Sequence, residues 1–411
     1  MKKILILGVG TYQVPLLLTA KRMGVTTVAA SIPGNYPGFE LADIVYYENT
    51  TDHEAILDIA RREKIDGIIT AGTDVAVITI GRVCDELGLT GLSYEAAAIA
   101  TDKLKMKAAY EEHGVRTARF REIYFRDGDY ADKLEGLTFP LIFKSVDSSG
   151  SRGIVRVDDP SEFDHAREVV RENTRADYFL VEEFIEGEEF GAQAFVQDGK
   201  IEFILPHGDY VFKGDTGVPI GHYAPYDLPE EVLEDAREQL RLAIRAMKLD
   251  NCAINADFIL KDNKTYVLEL GGRSGATCLA ELVSIYYGYD YYEKILQVAL
   301  GEKADFTPAG AESIEGYVGT PNASMLIMSD RDGYLRHQED HNPPDPRIVD
   351  VQFDRKLGDK VRKFTVGPHR IGHVITKGET LDEAVQVLHR AVKNLEIQVE
   401  PFSSEDEEAS S

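Results

Sequence analysis

Apolar residues in this chain come in runs of strand length, and over the first hundred residues those runs alternate with helical stretches. "KILILGV", "TTVAAS", "DGIITAG" and "LTGLS" read as buried strands, separated by segments such as "TDHEAILDIARREK". Short apolar strands joined through helices favour a parallel sheet with right-handed crossovers. Ligands of such open sheets bind beyond the C-terminal strand ends. The loops "GVGTYQ" (Gly8–Gln13) and "AGTD" (Ala71–Asp74) fall there. "GVGTYQ" is a poor dinucleotide fingerprint: Gln13 occupies the third glycine position, and the second strand ends in Ala30-Ser31 without the acid that would hold a ribose. It reads as a tight turn with Gly10 against a small ligand. Asp74 is either a helix N-cap or a substrate contact.

Beyond residue 100 the pattern changes. A helix over "TDKLKMKAAYEEHG" is expected to start at a Thr101 or Asp102 cap and end at Gly114. "LIFKSV", the loop Asp147–Gly153, a helix opened by Asp159-Pro160 and the strand "YFLVEEF" follow. Next come a hairpin turning at Asp198-Gly199 and a helix over "PEEVLEDAREQLRLAIRAMKL" with one apolar face. Past about residue 303, Pro- and Asp-rich segments such as "HQEDHNPPDPR" interrupt a smaller α+β region. The expected organisation is residues 1–100, 101–302 and 303–400 as three domains, with an acidic, solvated tail over 401–411.

The balance of 45 basic against 71 acidic residues, a net charge of −26, disfavours nucleic acid and anionic membranes as partners. No apolar run approaches the roughly 20 residues that span a bilayer, and the N-terminal apolar stretch is too short for a signal core. Both point to a cytoplasmic protein. Cys84, Cys252 and Cys278 are far apart and contain no C-x-x-C, against a disulfide framework or structural zinc. In so acidic a chain, any basic site for an anionic ligand must be local.

Several features would compose such a site. Lys144 lies inside the apolar strand "LIFKSV" and needs an anionic partner or a route to water. The loop after it has the glycine and serine content of an anion nest. Lys103 opens a helix, where the dipole disfavours a cation unless an anion is near. Two carboxylates, Asp257 and Glu269, lie on adjoining strands of "INADFILKDNKTYVLELGGR". A two- or four-residue turn would set Asp257 against Leu268 and put the acids on opposite faces. A three-residue turn with a bulge would set Asp257 across from Glu269. Paired, they suit Mg²⁺; unpaired, they are two acids at a solvent edge. Arg273, flanked by glycines, either neutralises charge on a reacting oxygen or pairs with Glu269.

In order along the chain, the pieces are Asp102-Lys103, Lys144 with its glycine-rich loop, Val181-Glu182-Glu183-Phe184-Ile185 with Gly187 and Glu189, and Asp257, Glu269 and Arg273. The set resembles the ATP-grasp superfamily over roughly residues 100–300, in the branch of biotin carboxylase, the carbamoyl phosphate synthetase large subunit and the purine-pathway carboxylate ligases. The fold this implies is an N-terminal open parallel α/β sheet domain, Rossmann-like. An ATP-grasp fold of two α+β lobes and a small C-terminal α+β domain follow it.

By the same resemblance, Lys103 and Lys144 would hold ATP phosphates, with Ser149, Gly150, Ser151 and Gly153 closing over them. Glu182, Glu183, Phe184 and Ile185 would meet adenine, and Glu189 the ribose. Asp257 and Glu269 would carry Mg²⁺ (or Mn²⁺), and Arg273 would be catalytic. One departure is that Gly271 stands where the family often has Asn, which removes an amide oxygen from the metal site. The implied reaction activates a carboxylate as an acyl phosphate and joins it to an amine. Small-molecule carboxylate and amine substrates are the expected partners, and a homodimer is compatible with the branch. Lys213, Asp215 and His222 in "HGDYVFKGDTGVPIGHY" line the acceptor pocket or belong to a surface excursion. Gly10 and Asp74 are further substrate-binding candidates. Bicarbonate activation through carboxyphosphate, a non-catalytic ATP-binding module and an NAD(P)-dependent oxidoreductase remain as alternatives.

Overall fold

The computed structural model describes residues 2–128, 130–148, 150, 152–213 and 217–402; the Lys213 side chain and the acidic tail from 403 onward lie outside it. The chain forms two compact units. The first comprises residues 1–206, 227–276 and 290–306, and the second residues 207–226, 277–289 and 307–411.

In the first unit, β1 (Lys3–Leu7), β2 (Thr26–Ser31), β3 (Ile44–Tyr47) and β4 (Gly67–Ile69) form a parallel sheet in the order β3-β2-β1-β4. Leu5, Leu7, Val28 and Ala30 are fully buried against Ile56, Ala60 and Val83 of the covering helices. This is the doubly covered sheet that the apolar runs imply. One expected strand is absent: "LTGLS" is a loop, in which Gly91 takes a positive φ and Ser93 caps the helix Tyr94–Ala100. The third parallel partner of this sheet is instead β3.

A second sheet follows, built from β5 (Phe120–Tyr124), β6 (Leu141–Lys144), β7 (Ile154–Val157) and β8 (Tyr178–Glu183) in the antiparallel order β5-β8-β6-β7. Phe143, Phe179, Leu141, Val157 and Val181 form its core against the helix Phe163–Glu172. The same unit holds β9 (Glu188–Gln197), the first half of β10 (Lys200–Lys213), β12 (Cys252–Lys261) and β13 (Lys264–Gly271), with the helix Glu230–Ala246 packed on β13. That helix buries Val232, Ala236, Leu240 and Ala243, the face its 3.6-residue period specifies.

In the second unit the rest of β10 pairs with β11 (Gly217–Ala224), and β14 (Asn322–Ile327), β18 (Gly372–Lys377) and β16 (Ile348–Phe353) continue that sheet. β15 (Gly333–Asp340), β17 (Lys360–Val361) and β19 (Leu395–Glu400) form a small separate sheet. The helix Leu381–Lys393 buries Ala384, Val387, Leu388 and Ala391.

Candidate active site

The hairpin of β12 and β13 carries both acids, and its register is the second of those foreseen, Asp257 across from Glu269, reached through a shorter turn than expected. The turn is two residues long, Asp262-Asn263, both at positive φ, as in the hairpin turns whose twist matches the strands. Lys261 then pairs with Lys264, and Phe258 with Val267. A regular ladder would next set Asp257 against Leu268. A bulge intervenes there, and Asp257 faces Glu269. The extra residue in β13 reverses the facing that a two-residue turn alone would impose.

Lys103 joins three segments. It is the first residue of the helix Lys103–Glu112, which Asp102 caps by accepting from the backbone of Leu104 and Lys105. Its Nζ lies 3.2 Å from Glu269 Oε1 and donates to the carbonyl of Ser148 at 2.6 Å. Helix, anion-nest loop and metal-candidate strand thus meet at one ammonium, which resolves the conflict with the helix dipole. The loop is pinned from below: Ser145 donates from its backbone to the Gly153 carbonyl and from its hydroxyl to the Arg152 carbonyl. Gly153 is at φ +66°, and a Cβ there would lie 2.7 Å from both Ser145 Oγ and Asn173 Cβ. Only glycine fits. Gly150 is also at positive φ, and Ser149 and Ser151 lie outside the described residues.

Lys144 does find an anion. Its Nζ is 2.7 Å from Glu182 Oε2, and Glu182 Oε1 is 3.1 Å from Nζ of Lys107. Lys107 is fully buried one helical turn beyond Lys103, and also donates to Thr117 Oγ1. Burial opposes the charge on Glu182, but the two lysines outweigh it and hold its carboxyl at about 2. β8 is an interior strand whose Glu182 pairs with Phe120 and Ile142, and its side chain is committed to two cations.

The segment after Glu182 is more open. Glu183 is salt-bridged to Arg119, with Nε of that arginine 2.9 Å from Oε2. The Phe184 ring lies 4.6 Å from the Arg156 guanidinium, and its backbone N–H donates to Pro140. Ile185 follows in the connection to β9, where Glu189 pairs with Ile259 of β12.

Arg273 pairs with Asp74 and not with Glu269. Nε and Nη2 each lie 2.8 Å from a different carboxylate oxygen, a bidentate fork. Asp74 is thereby also corrected as a helix N-cap: the helix Val77–Leu87 is capped at Ala76. Burial opposes the Asp74 charge, and Arg273 holds its carboxyl below the usual range. Gly271 has a physical reason here, because a Cβ would approach Asp74 Oδ1 to 3.0 Å. Asn255, which sequence reasoning missed, stands across the ladder from Gly271 and donates to Asp257 Oδ1 at 3.4 Å.

Gly10 precedes the short helix Thr11–Gln13, and the buried Gln13 amide donates to the Ala71 carbonyl, bridging the two loops at the strand ends. Lys103, Lys107, Lys144, Glu182, Asp257, Glu269, Arg273 and Asp74 all belong to the first unit; Lys213 and His222 belong to the second. The His222 ring is buried against Asp209. Asp215 and the Lys213 side chain lie outside the described residues.

Comparison with known proteins decides the family. Residues 137–281 match the ATP-grasp domain, and residues 325–400 match the L-amino acid ligase C-terminal domain 2. The crystal structure of phosphoribosylglycinamide synthetase from Anaerococcus prevotii is 35% identical, covering 97% of this chain and 100% of that one, with a TM-score of 0.82. The chain belongs to the ATP-grasp family. An L-amino acid ligase from Bacillus licheniformis shares the fold, with a TM-score of 0.78 over 97% of this chain and 99% of that one, at 22% identity. Alanine–anticapsin ligase of Bacillus subtilis (strain 168) is 25% identical over 307 residues, 68% of this chain. This chain spans 65% of that relative's length.

ATP-grasp enzymes use ATP and Mg²⁺. The donor set at the β12–β13 hairpin fits a hard cation: Asp257 is exposed, Glu269 is partly so, and both offer carboxylate oxygens across one ladder position. Among the described residues, no helix is long and apolar enough to cross a membrane.

Proposed function

We propose that this chain is an ATP-dependent ligase that activates a carboxylate as an acyl phosphate and joins it to an amine of a small metabolite or amino acid, releasing ADP and phosphate. The observation that carries the reading is the Lys103 ammonium, within reach of both Glu269 and the Ser148 carbonyl. Lys103 and Lys144 hold the phosphates, and the loop from Ser148 to Gly153, including Ser149, Gly150 and Ser151, closes over them. The segment Glu182–Ile185 borders the adenine, through Phe184 and Ile185 more than through the committed Glu182 side chain, and Glu189 borders the ribose. Asp257 and Glu269 hold Mg²⁺, which screens phosphate charge when bound.

The carboxylate oxygen attacks the γ-phosphorus and ADP leaves; the amine then attacks the acyl carbon and phosphate leaves. Arg273, fixed by Asp74, stabilises charge on the reacting oxygens. The protein works by positioning and charge neutralisation. Gly10 remains a substrate-side candidate of the first unit, whereas His222 of the second is committed to Asp209. The relatives support the reading, since they form C–N bonds between carboxylates and amines. We place the enzyme in the cytoplasm.

The test is phosphate release from ATP and Mg²⁺ with a panel of amino acids, small carboxylates and amines, with hydroxylamine present to trap acyl phosphate as a hydroxamate. At least one carboxylate should give hydroxamate and one pair should raise phosphate release. No response from any pair overturns the assignment. Release driven by bicarbonate alone replaces it with carboxyphosphate chemistry.

A further inference from the structure

The β10–β11 hairpin of the second unit brings together three side chains that the ligase reading does not require as a group. His207 and Asp209 are two residues apart on β10 and so project from one face. His222 on β11 is the direct ladder partner of Asp209 and projects from the same face. Oδ1 of Asp209 accepts from Nδ1 of His207 at 2.9 Å and from Nδ1 of His222 at 2.6 Å. The rings meet edge to face with centroids 5.2 Å apart. One ligating atom from each residue lies within 4.8 Å of the others. Both histidine side chains are 3% exposed and Asp209 is 9% exposed.

Protein groups alone leave this cluster incomplete. It holds a carboxylate that is only 9% exposed, and a buried carboxylate charge is costly without a cation. Nε2 of His207 is buried with no hydrogen-bond partner. Two imidazole nitrogens and one carboxylate oxygen are the donors that divalent zinc prefers over magnesium. Bonds of about 2.0–2.1 Å to a tetrahedral ion set donor atoms roughly 3.3 Å apart. The two N···O separations of 2.9 and 2.6 Å need to widen by about 0.4 and 0.7 Å.

We propose that His207, Asp209 and His222 bind one Zn²⁺, with water as its fourth ligand, separate from the nucleotide's magnesium. The ion ties β10 to β11 at the Asp209–His222 pair, one ladder position before the bulge between Tyr210 and Val211. It fixes the register where the ladder is weakest. The inference stands whether or not the ligase assignment holds.

The test uses the full chain, stripped with a chelator and then titrated with Zn²⁺ or Co²⁺ in the presence of millimolar Mg²⁺. One equivalent of Zn²⁺ should be retained through gel filtration and raise Tm. Co²⁺ should give visible d–d bands without a sulfur charge-transfer band. His207→Gln/His222→Gln should lose the equivalent and the Tm gain, while Asp257→Asn should keep both, which separates this ion from the magnesium site. Should the double variant fail to fold, Asp209→Asn carries the same comparison. Failure of the wild type to retain Zn²⁺, or equal retention by the His and Asp209 variants, overturns the site. So does a sulfur charge-transfer band lost in Cys278→Ser, which would move the ion to buried Cys278 and its neighbour His373.

Discussion

Glu182→Gln is the most informative single change in the first unit. It keeps the size of the side chain and removes the one carboxylate that touches both Lys107 and Lys144. Lys107, 2% exposed and with its charge already disfavoured by burial, then loses its nearest carboxylate. Stranding one partner of a buried pair costs about 3–5 kcal/mol. Protonation gives an independent figure. The Glu182 carboxyl falls from its usual 4.5 to about 2 in the folded chain, which corresponds to about 3 kcal/mol of preference for the ionised, folded form. The Coulombic pull of Glu269 on Lys107 argues for the lower end.

Urea unfolding at pH 7, followed by a probe of the first unit, should therefore show a loss of about 3 kcal/mol. Lys107→Met in the same chain should recover at least about 2 kcal/mol, because the remaining Lys144 can reach water. A depressed carboxyl contributes stability that is complete above its unfolded value and lost as pH falls through its folded one. The wild type should thus lose this increment between pH 4.5 and about 2, and Glu182→Gln should lack that slope. A Glu182→Gln chain within about 0.5 kcal/mol of wild type, or a double variant no more stable than the single, would refute the buried triad as a source of stability.

Lys144→Ala should weaken ATP binding by about tenfold or more by calorimetry, since it removes a charge-assisted contact worth 1.5–3 kcal/mol; unchanged affinity removes Lys144 from the phosphate site. Asp257→Asn should weaken Mn²⁺ binding in the presence of ADP, read by electron paramagnetic resonance, with the fold intact by circular dichroism. Arg273→Lys breaks the bidentate fork on Asp74 and should lower kcat by about 10²-fold with a smaller change in KM for ATP; a KM effect alone points to ground-state binding. Gly153→Ala, placed at φ +66° against Ser145 and Asn173, should cost about 1–3 kcal/mol and slow closure of the loop, read as a raised KM for ATP.

Much of the site was legible because its residues break local rules. A lysine inside an apolar strand, a lysine at a helix start and glycines clustered between strands each conflict with their surroundings, and the conflict marks a partner elsewhere in the chain. Lys107 gave no such signal. It sits among Lys103 and Lys105 on a helix, where a run of lysines looks solvated, and only its spacing of four from Lys103 puts it on the buried face. Asp74 was seen, but its partner lies 199 residues away, and nothing local chooses between a cap and a fork.

What the sequence determined by itself is the alphabet and order of the parts: strand and helix periodicities, the caps at Asp102 and Asp159, a tight turn within residues 261–264, and the succession of lysines, glycine loop, acids and arginine. These follow from interactions within a few residues, where backbone preference and side-chain spacing suffice. Tertiary structure decided the facing. The bulge in β13 that turns Glu269 toward Asp257, the interior position of β8 that gives Glu182 to two lysines, and the fork between Asp74 and Arg273 depend on which distant strands and loops pack together. A period-two side chain reverses its face with one residue of slip, and a buried charge waits for whichever counter-ion the fold delivers.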